Sequence, residues 1–434
     1  MRNGEMNMDD RQGLWLDDAL QKELKEKFYY ADADPQYGER LFFENSGGSL
    51  RLKKCVEAKE AIERFPDCPE RIHARSLYLR SLVEQGTKEI MEIIFGAKSG
   101  SLITELTASQ AMFHMVGLIM ENIPGTSAVV SSIEHPSAFD AVAFYCKKTG
   151  KELRVVPANR ETGGIDAATV AKYVDKDTCL LSVMSASNIS GTIMDMQAIV
   201  RTAREIKPEL YIISDAVQHA PHHALDVEAL GIDGMNFAPY KFFGIRGCGF
   251  AYVSDRVVAL PHRKLIAKEQ SVFELGTSAP ANFAAAMEII NYVCEIGQHF
   301  IGEADRRALY VEGMRRIHLQ ERALLHRMLE GTAEVPGLRH IEGVHVYVDT
   351  EDLTQRDLIT AIAIDGMDFT ECVAEYQRRG VTVYERIHTS IYSKRILDAL
   401  GLEGAIRVSP LHCHGAEDID KFLRITAEIV NLVK

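Results

Sequence analysis

Short apolar runs alternate with amphipathic stretches through the middle third of the 434-residue chain. The runs are rich in β-branched residues, as buried strands are, and the stretch at 196–206 carries apolar residues at helical spacing. The strands predicted in this way are 127–133, 153–157, 178–184, 211–214, 234–237 and 249–253, and the helices are 138–148, 167–174 and 196–206. Such alternation predicts right-handed crossovers, and therefore an α/β fold whose mostly parallel sheet is covered on both faces.

The pattern changes in the last third of the chain. Long helical stretches at 281–297 and 304–331 precede a mixed set of short strands and helices that continues to the C-terminus. With 434 residues, 46% of them hydrophobic, the chain is long enough to bury more than one core. We expect an N-terminal helical arm over 1–40, a large domain over 41–295 and a small α+β C-terminal domain over 296–434.

Polar side chains follow the predicted strands at the edge where a parallel sheet binds its ligands. Asp215, His135 and Asn188 each come shortly after one of these strands, and Lys241 lies in a short turn after the strand at 234–237. Ligands of open α/β sheets bind beyond the carboxyl ends of the strands. We therefore expect these four side chains to face a common site.

A carboxylate at the end of a buried strand and a lysine in a nearby turn are what one cofactor requires. The amine of Lys241 can form a Schiff base with the aldehyde of pyridoxal phosphate, and the carboxylate of Asp215 can keep the pyridine nitrogen protonated. Either residue alone is common, as a surface lysine or as a strand-end cap. The prediction of a pyridoxal phosphate site therefore depends on the motifs around them.

These motifs resemble those of one family of pyridoxal phosphate enzymes. Segment 215–227 resembles the Asp-x-Ala-Gln-x-x-x-His-x-x-x-Asp-Val motif of the cysteine desulfurase and selenocysteine lyase branch of the class V aminotransferase fold, with Val217 in place of the alanine. The further matching segments are 41–48, 134–135, 187–192, 273–277 and 406–409. The resemblance implies a PLP-dependent transferase fold of type I, with a mostly parallel seven-stranded sheet in the large domain, and an enzyme that acts on a small α-amino acid.

The same resemblance implies a role for each residue around the cofactor ring. Lys241 would carry the cofactor and move protons at Cα of the substrate, and Asp215 would pair with the pyridinium. Gln218 would donate to the ring O3′, and Val217 would pack against one face of the ring. His135 would stack on the other face and act as an acid or base toward the substrate side chain.

The phosphate of the cofactor would bind at the start of a helix. The backbone amides and hydroxyls of Thr107, Ala108 and Ser109 would receive it, since helix N-termini favour anions. The family's Ser-x-His before the lysine is replaced here by Ala238-Pro-Tyr240, so that Tyr240 must take over as a donor.

A second subunit is also implied by the resemblance. Gly276 and Thr277, in the Phe-Glu-x-Gly-Thr motif, would reach the phosphate bound by the neighbouring subunit. We therefore expect a homodimer with two-fold symmetry and shared active sites.

The side of the site that receives the substrate combines a match with a departure from the family. Arg407, in the Arg-x-Ser motif, would clamp the substrate α-carboxylate, and Asn188 would contact this carboxylate or O3′. Cysteine desulfurases carry a persulfide-forming cysteine on the loop before this motif, whereas segment 384–391 contains none. We expect Arg386 and His388, on that segment, to set the specificity for the substrate side chain.

Several reactions are compatible with these residues. A lyase that eliminates a β-substituent without a persulfide is the first hypothesis. The alternatives are a class V aminotransferase, an enzyme of epimerisation or of decarboxylative carbon–carbon chemistry, and a protein of this fold retained for binding or assembly. The last is disfavoured because Lys241, Asp215 and Arg407 are all present.

Composition excludes other classes of function. A net charge of −13 without a basic cluster argues against nucleic acid, and no apolar run approaches the roughly 20 residues of a membrane span. The eight cysteines contain no Cys-x-x-Cys pair, which is typical of reduced thiols in a cytoplasmic enzyme. His412-Cys-His414 lacks a second pair of ligands nearby in the sequence, so we expect no metal site.

Overall fold

The computed structural model describes residues 14–433. Most of the predicted N-terminal arm falls within this range, but its first thirteen positions lie outside the described residues. The helices, in chain order, are α1 (Asp18–Glu26), α2 (Lys53–Glu63), α3 (Ala74–Glu89), α4 (Ala108–Asn122), α5 (Pro136–Thr149), α6 (Ala167–Ala171), α7 (Met196–Ile206), α8 (Val227–Leu230), α9 (Asp255–Val258), α10 (Pro280–Ile301), α11 (Arg306–Glu330), α12 (Phe369–Arg378), α13 (Lys394–Leu400) and α14 (Ala416–Val430). The strands are β1 (Ala33–Asp34), β2 (Gly38–Glu39), β3 (Leu41–Phe42), β4 (Ser101–Glu105), β5 (Ser127–Ser131), β6 (Glu152–Val156), β7 (Thr178–Met184), β8 (Tyr211–Asp215), β9 (Gly234–Phe237), β10 (Gly249–Val253), β11 (Val344–Tyr347), β12 (Thr360–Ile364), β13 (Val381–Thr382), β14 (Tyr384–Ile387) and β15 (Gly404–Val408).

The large sheet has seven strands in the order β4-β10-β9-β8-β7-β5-β6. β10 is antiparallel to both of its neighbours, and the other pairings are parallel. This confirms the prediction of a mostly parallel seven-stranded sheet. Six strands match the apolar runs of the sequence, whereas the edge strand β4 does not, because most of its residues are only half-buried and it lacks a continuous apolar run.

Alternate residues of the central strands pack on opposite faces of this sheet. In β5, Ala128 and Val130 belong to a cluster that also contains Met112 and Ala141 of the flanking helices, whereas Val129 belongs to the main core on the other face. Because successive side chains of a strand point to opposite faces, a strand covered on both faces must be apolar throughout. The polar residues that end these strands therefore mark the edge of the sheet that the flanking helices no longer cover.

The C-terminal part contains a second sheet, antiparallel and four-stranded, in the order β11-β12-β15-β14. It packs on α11, α12 and α14 around an apolar cluster of its own. The long helices α10 and α11 lead into it and approach closely, since a Cβ on Gly297 or Gly313 would overlap the backbone of the opposite helix.

The N-terminal segment pairs with the C-terminal part of the chain, in a separate two-stranded sheet of β3 and β13. β3 pairs in parallel with β13, and Glu44 forms an isolated bridge with Ser409, next to the end of β15. The limits 1–40, 41–295 and 296–434 remain predictions, and these ladders show that the segment after residue 40 contacts the C-terminal part. The bridge brings Glu44 beside the Arg-x-Ser motif.

Between residues 14 and 433, no helix combines the length and the apolar character needed to span a membrane.

Candidate active site

A cleft opens at the carboxyl ends of β7 and β8, next to the turn that carries Lys241. Its lining combines most of the cofactor-binding residues predicted from the sequence with a few others: Thr107, Ala108, Ser109, His135, Ser137, Met184, Ala186, Asn188, Asp215, Val217, Gln218, Ala238, Tyr240, Lys241 and Arg246. The fold thus brings together residues as far apart in the chain as Thr107 and Arg246. This is the edge at which ligands of open α/β sheets bind.

Lys241 ends the short 3₁₀ turn Pro239–Lys241, and its side chain is buried. Its Nζ donates a hydrogen bond to Gln218 Oε1 at 3.4 Å. Burial, and then the positive charge of Arg407, lower the pKa of Lys241 to about 8 from the usual 10.5. A fraction of the amine is therefore neutral near physiological pH, as a nucleophile or a base requires.

Asp215 is the last residue of β8 and is buried. Its Oδ1 accepts the N–H of Val217 at 3.0 Å, which fixes the carboxylate at the strand end. Burial raises the pKa of Asp215, and the positive charge of Lys241 offsets only part of this effect. A cationic group bound in the cleft would stabilise the ionised carboxylate, and the pyridinium of pyridoxal phosphate is such a group.

His135 is held in one tautomer at the start of α5. Its Nδ1 accepts the backbone N–H of Ser137 at 3.2 Å and lies 2.7 Å from Ser137 Oγ, which places the ring hydrogen on Nε2. Burial and the nearby Lys241 lower the pKa of His135 to about 3, so the ring is neutral at pH 7. One face stacks on Tyr392, with ring centroids 5.9 Å apart.

The start of α4 has the features of an anion site. Thr107 is its N-cap and its Oγ1 accepts the N–H of Gln110 at 3.1 Å, while Asn236 Nδ2 donates to the carbonyl of Ala108 at 3.1 Å. Gly249 lets β10 pass directly against this turn, since a Cβ there would overlap the nitrogen of Ala108. The α4 N-terminus therefore faces the cleft in a fixed position, which fits the phosphate of the cofactor.

Tyr240 and Arg246 complete this side of the cleft. The guanidinium of Arg246 lies over the ring of Tyr240, 4.3 Å from its centroid. Both residues line the cleft, and a cation there suits a phosphate group. Tyr240 was predicted from the sequence, whereas Arg246 was not. Its position between two glycines, close after the lysine, is the sequence signal that would have indicated it.

Arg407 lies at the substrate side, on β15, and is already paired. Its Nη2 contacts Glu44 Oε1, and its Nη1 donates to the carbonyl of Asn188 at 2.9 Å. Three buried atoms of this cluster have no hydrogen-bond partner among residues 14–433, namely Arg407 Nε, Asn188 Oδ1 and Glu44 Oε2. Buried polar atoms are nearly always satisfied in folded proteins, so these three fit a site that receives a bound molecule.

The two residues predicted to set side-chain specificity are placed differently. Arg386 on β14 is buried, donates to the carbonyl of Tyr392 at 2.8 Å, and lies near enough to Lys241 and His135 to lower both of their pKa values. His388 instead contacts Asp398 and the carbonyl of Glu403, at 3.0 and 2.9 Å. None of Arg386, His388 and Arg407 is among the residues that line the cleft of Lys241.

Gly276 and Thr277 line a second cleft rather than that of Lys241. They share it with Leu106 and Leu275, whose side chains are 69% and 50% exposed. Apolar exposure at this level, beside two residues predicted to serve a neighbouring subunit, is what a subunit interface would cover.

Comparisons with known proteins show the family of the chain. The family model of class V aminotransferases matches residues 68–422. The cysteine desulfurase IscS of Dictyoglomus turgidum is 28% identical over 295 residues, which cover 62% of this chain and 73% of that protein. A cysteine desulfurase of Salmonella dublin is 24% identical over 318 residues, or 68% of this chain and 73% of that protein.

A solved structure shows the same fold. The structure of a cysteine desulfurase from Thermococcus onnurineus superposes with a TM-score of 0.77 at 20% identity and covers 94% of this chain and 98% of that one. The cysteine desulfurase CsdA of Escherichia coli gives a TM-score of 0.75 at 16% identity, over 95% and 99% of the two chains.

Proposed function

Because the chain belongs to the class V aminotransferase family, whose cysteine desulfurase-like members use pyridoxal phosphate, we propose that it is a lyase that removes a β-substituent from a small α-amino acid without an enzyme persulfide. The observation that carries this proposal is a cleft with a buried lysine of lowered pKa and, among residues 14–433, no cysteine in its lining. When bound, pyridoxal phosphate withdraws electrons from Cα of the amino acid.

Lys241 is proposed as the group that moves the Cα proton. Its pKa of about 8 lets the amine accept a proton at neutral pH and return it later. The amine stands beside Gln218 in a site from which bulk water is largely excluded, so that a proton held on Nζ is not lost at once to solvent.

His135 is proposed as the donor to the leaving group. Its neutral ring carries hydrogen on Nε2, because Nδ1 is occupied by Ser137. A hydrogen bond from Nε2 would stabilise negative charge on a departing thiolate or similar group. Tyr392 supports this ring on one face and thereby limits its orientation.

The substrate would be oriented by two buried arginines. Arg407 has an unpaired Nε and is proposed to bind the α-carboxylate. Arg386 also has a buried, unpaired Nε, which favours a substrate whose side chain bears a hydrogen-bond acceptor or an acidic group. Arg386→Met should therefore raise KM for cysteine sulfinate more than KM for cysteine.

The cysteines nearest in sequence to the Arg-x-Ser motif are unsuited to sulfur transfer. Cys372 and Cys413 are both fully buried, and burial raises the pKa of Cys372 to about 12 and that of Cys413 still further. A thiol that stays protonated is a poor nucleophile. Sulfur removed from a substrate would therefore leave the cleft as sulfide.

The test is the product balance with L-cysteine. Elimination converts cysteine and water into pyruvate, ammonia and hydrogen sulfide, so pyruvate and sulfide should appear in equal amounts with no alanine. Alanine together with protein-bound sulfur would indicate desulfuration through a persulfide. A keto acid that keeps its sulfur and forms only with an amino acceptor would indicate an aminotransferase, and either result would overturn the proposal.

We also propose a homodimer with shared sites and a cytoplasmic location. The exposed Leu106 and Leu275 beside Thr277 support the dimer, and a single mass of one chain in sedimentation of active enzyme would contradict it. All eight cysteines are free thiols, which supports a reducing compartment.

A further inference from the structure

Three side chains outside the active-site cleft converge as metal ligands do. His219 and His223 lie one helical turn apart, since the N–H of His223 donates to the carbonyl of His219 at 3.2 Å. Asp357, which precedes β12, lies against both rings, and one ligand atom from each of the three residues falls within 4.8 Å of the other two. Histidines at i and i+4 are a recurrent metal-binding pair because they share one face of a turn.

The distances are near those that a metal ion imposes. His219 Nδ1 is 3.0 Å from Asp357 Oδ2, and His223 Nε2 is 3.5 Å from Asp357 Oδ1. A tetrahedral ion with bonds of about 2.1 Å holds its ligand atoms about 3.4 Å apart. Small rotations of the two imidazoles, whose centroids are 4.6 Å apart, would bring them to this geometry.

The cluster leaves buried polar atoms without partners. Within the described part of the chain, His223 Nε2 and Asp357 Oδ1 make no hydrogen bond, and neither does Nδ1 of the adjacent His318. Asp357 is almost completely buried, and a buried carboxylate oxygen without a donor is costly unless a cation binds it.

We propose that His219, His223 and Asp357 bind a divalent transition-metal ion of the zinc class. Two imidazoles and one carboxylate favour Zn²⁺ over Mg²⁺ or Ca²⁺, which prefer sites built of oxygen ligands only. His219 also lines an open cleft with Ser185 and Gln355, so water can occupy the fourth position.

The ion would connect parts of the chain that surround the active site. Asp357 donates its N–H to the carbonyl of Gly191, in the turn that carries Asn188, and His219 follows Gln218 directly. The metal would thus join the Gln218 side of the large sheet to the segment before β12. It touches neither cofactor nor substrate, so its role is to position and stabilise.

The site differs from the histidines considered on the sequence. His412 Nε2 lies 2.7 Å from the hydroxyl of Tyr292, and His414 Nδ1 accepts the N–H of Leu411 at 2.9 Å. Each ring also has one buried nitrogen without a partner, but neither residue belongs to a group of three convergent ligands among residues 14–433. The proposed site depends instead on Asp357, which is 138 residues from His219 in the chain.

Zinc binding to the untagged holoenzyme tests the proposal. After dialysis against a chelator, Zn²⁺ would be titrated in competition with a chromophoric chelator. We expect one tight ion per chain, a rise in Tm on addition of Zn²⁺, and an affinity weaker by roughly 100-fold or more in His223→Asn, because the loss of a direct ligand should exceed the 10- to 100-fold cost of losing an outer-shell partner. His345→Asn is the matched control, because His345 pairs with Asp365 at 2.6 Å on the surface without a third ligand.

The variants also keep the test independent of folding. The side chain of His223 is 27% exposed, so the fold should tolerate its replacement. Circular dichroism would verify the fold of the variant before titration. Asp357→Asn should lose the site as well. Equal zinc affinity in wild type, His223→Asn and His345→Asn, or no ion bound by the wild type, would overturn the proposal.

Discussion

Arg407 and Glu44 form a buried ion pair that joins β15 to the N-terminal segment. Their side chains are only 3% and 15% exposed, and the guanidinium is held from a second side by the carbonyl of Asn188. A substrate carboxylate that approaches Arg407 therefore meets a cation that one carboxylate already neutralises in part.

Replacement of Glu44 by glutamine should lower KM. The glutamine oxygen can still accept from Arg407, so the guanidinium keeps its orientation, while the repulsion between Glu44 and the substrate carboxylate disappears. We expect KM to fall roughly 3- to 10-fold, equivalent to about 1 kcal/mol, with little change in kcat. Glu39→Gln, which alters a surface pair with Lys421, is the control and should leave KM unchanged. A higher KM in Glu44→Gln would contradict this reading.

Loss of the guanidinium should be far more severe. Arg407→Ala removes a charge-assisted contact worth about 2 to 4 kcal/mol, so kcat/KM should fall roughly 30- to 1,000-fold. Because Glu44 is then left buried and unpaired, the double variant Glu44→Gln with Arg407→Ala separates loss of binding from loss of stability. Arg327→Ala, which breaks a remote pair with Asp420, should keep full activity. Full activity in Arg407→Ala would show that Arg407 does not bind the substrate carboxylate.

The reactivity of Lys241 should depend on pH in an unusual range. Its folded-state pKa is lowered to about 8, so acetylation of the apoenzyme amine should rise through pH 8 rather than through 10.5. Glu44→Gln should move this inflection down and Arg407→Met should move it up, because the first removes a negative charge that raises the pKa and the second a positive charge that lowers it.

Mass spectrometry of the Lys241 peptide measures this inflection, with Lys148 as control, since Glu121 raises the pKa of that exposed amine. The lowered pKa also makes the stability of the fold depend on pH. Between about pH 8 and 10.5 the unfolded chain binds the additional proton, so the contribution of Lys241 to stability increases as the pH rises. An inflection near 10.5 in the wild type would contradict the account.

The cysteines should not take part in turnover. Cys68 is the one cysteine that is not buried, so iodoacetamide should modify it under native conditions without loss of activity. Cys372→Ala and Cys413→Ala should release sulfide at the wild-type rate per folded enzyme. Radiolabelled sulfur from cysteine, found on either residue during turnover, would restore a persulfide mechanism.

The sequence predicted the large sheet and the residues at its edge, because both follow from local patterns. Six of its seven strands coincide with apolar runs of the sequence. Asp215 stands at the end of one of these strands, and Lys241 follows shortly after another. The role of Glu44 could not be predicted in this way. Its partner Arg407 is 363 residues away, and the bridge between Glu44 and Ser409 that brings them together has no local signal.

His388 illustrates a second limit. Alternation along a strand would place Arg386 and His388 on one face, and both were expected to contact the substrate. β14 ends at Ile387, however, and the chain turns there, so that His388 meets Asp398 within α13. A difference of one residue in the end of a strand changes which side chains point toward a site. Sequence patterns define such ends poorly.

The identity of the cofactor lysine tests the account most directly. Reduction of the purified holoenzyme with borohydride, followed by peptide mapping, should place the pyridoxyl group on Lys241, and Lys241→Ala should abolish the label while the fold is retained. A pyridoxyl group on another lysine, or label that persists in Lys241→Ala, would contradict the assignment of the site.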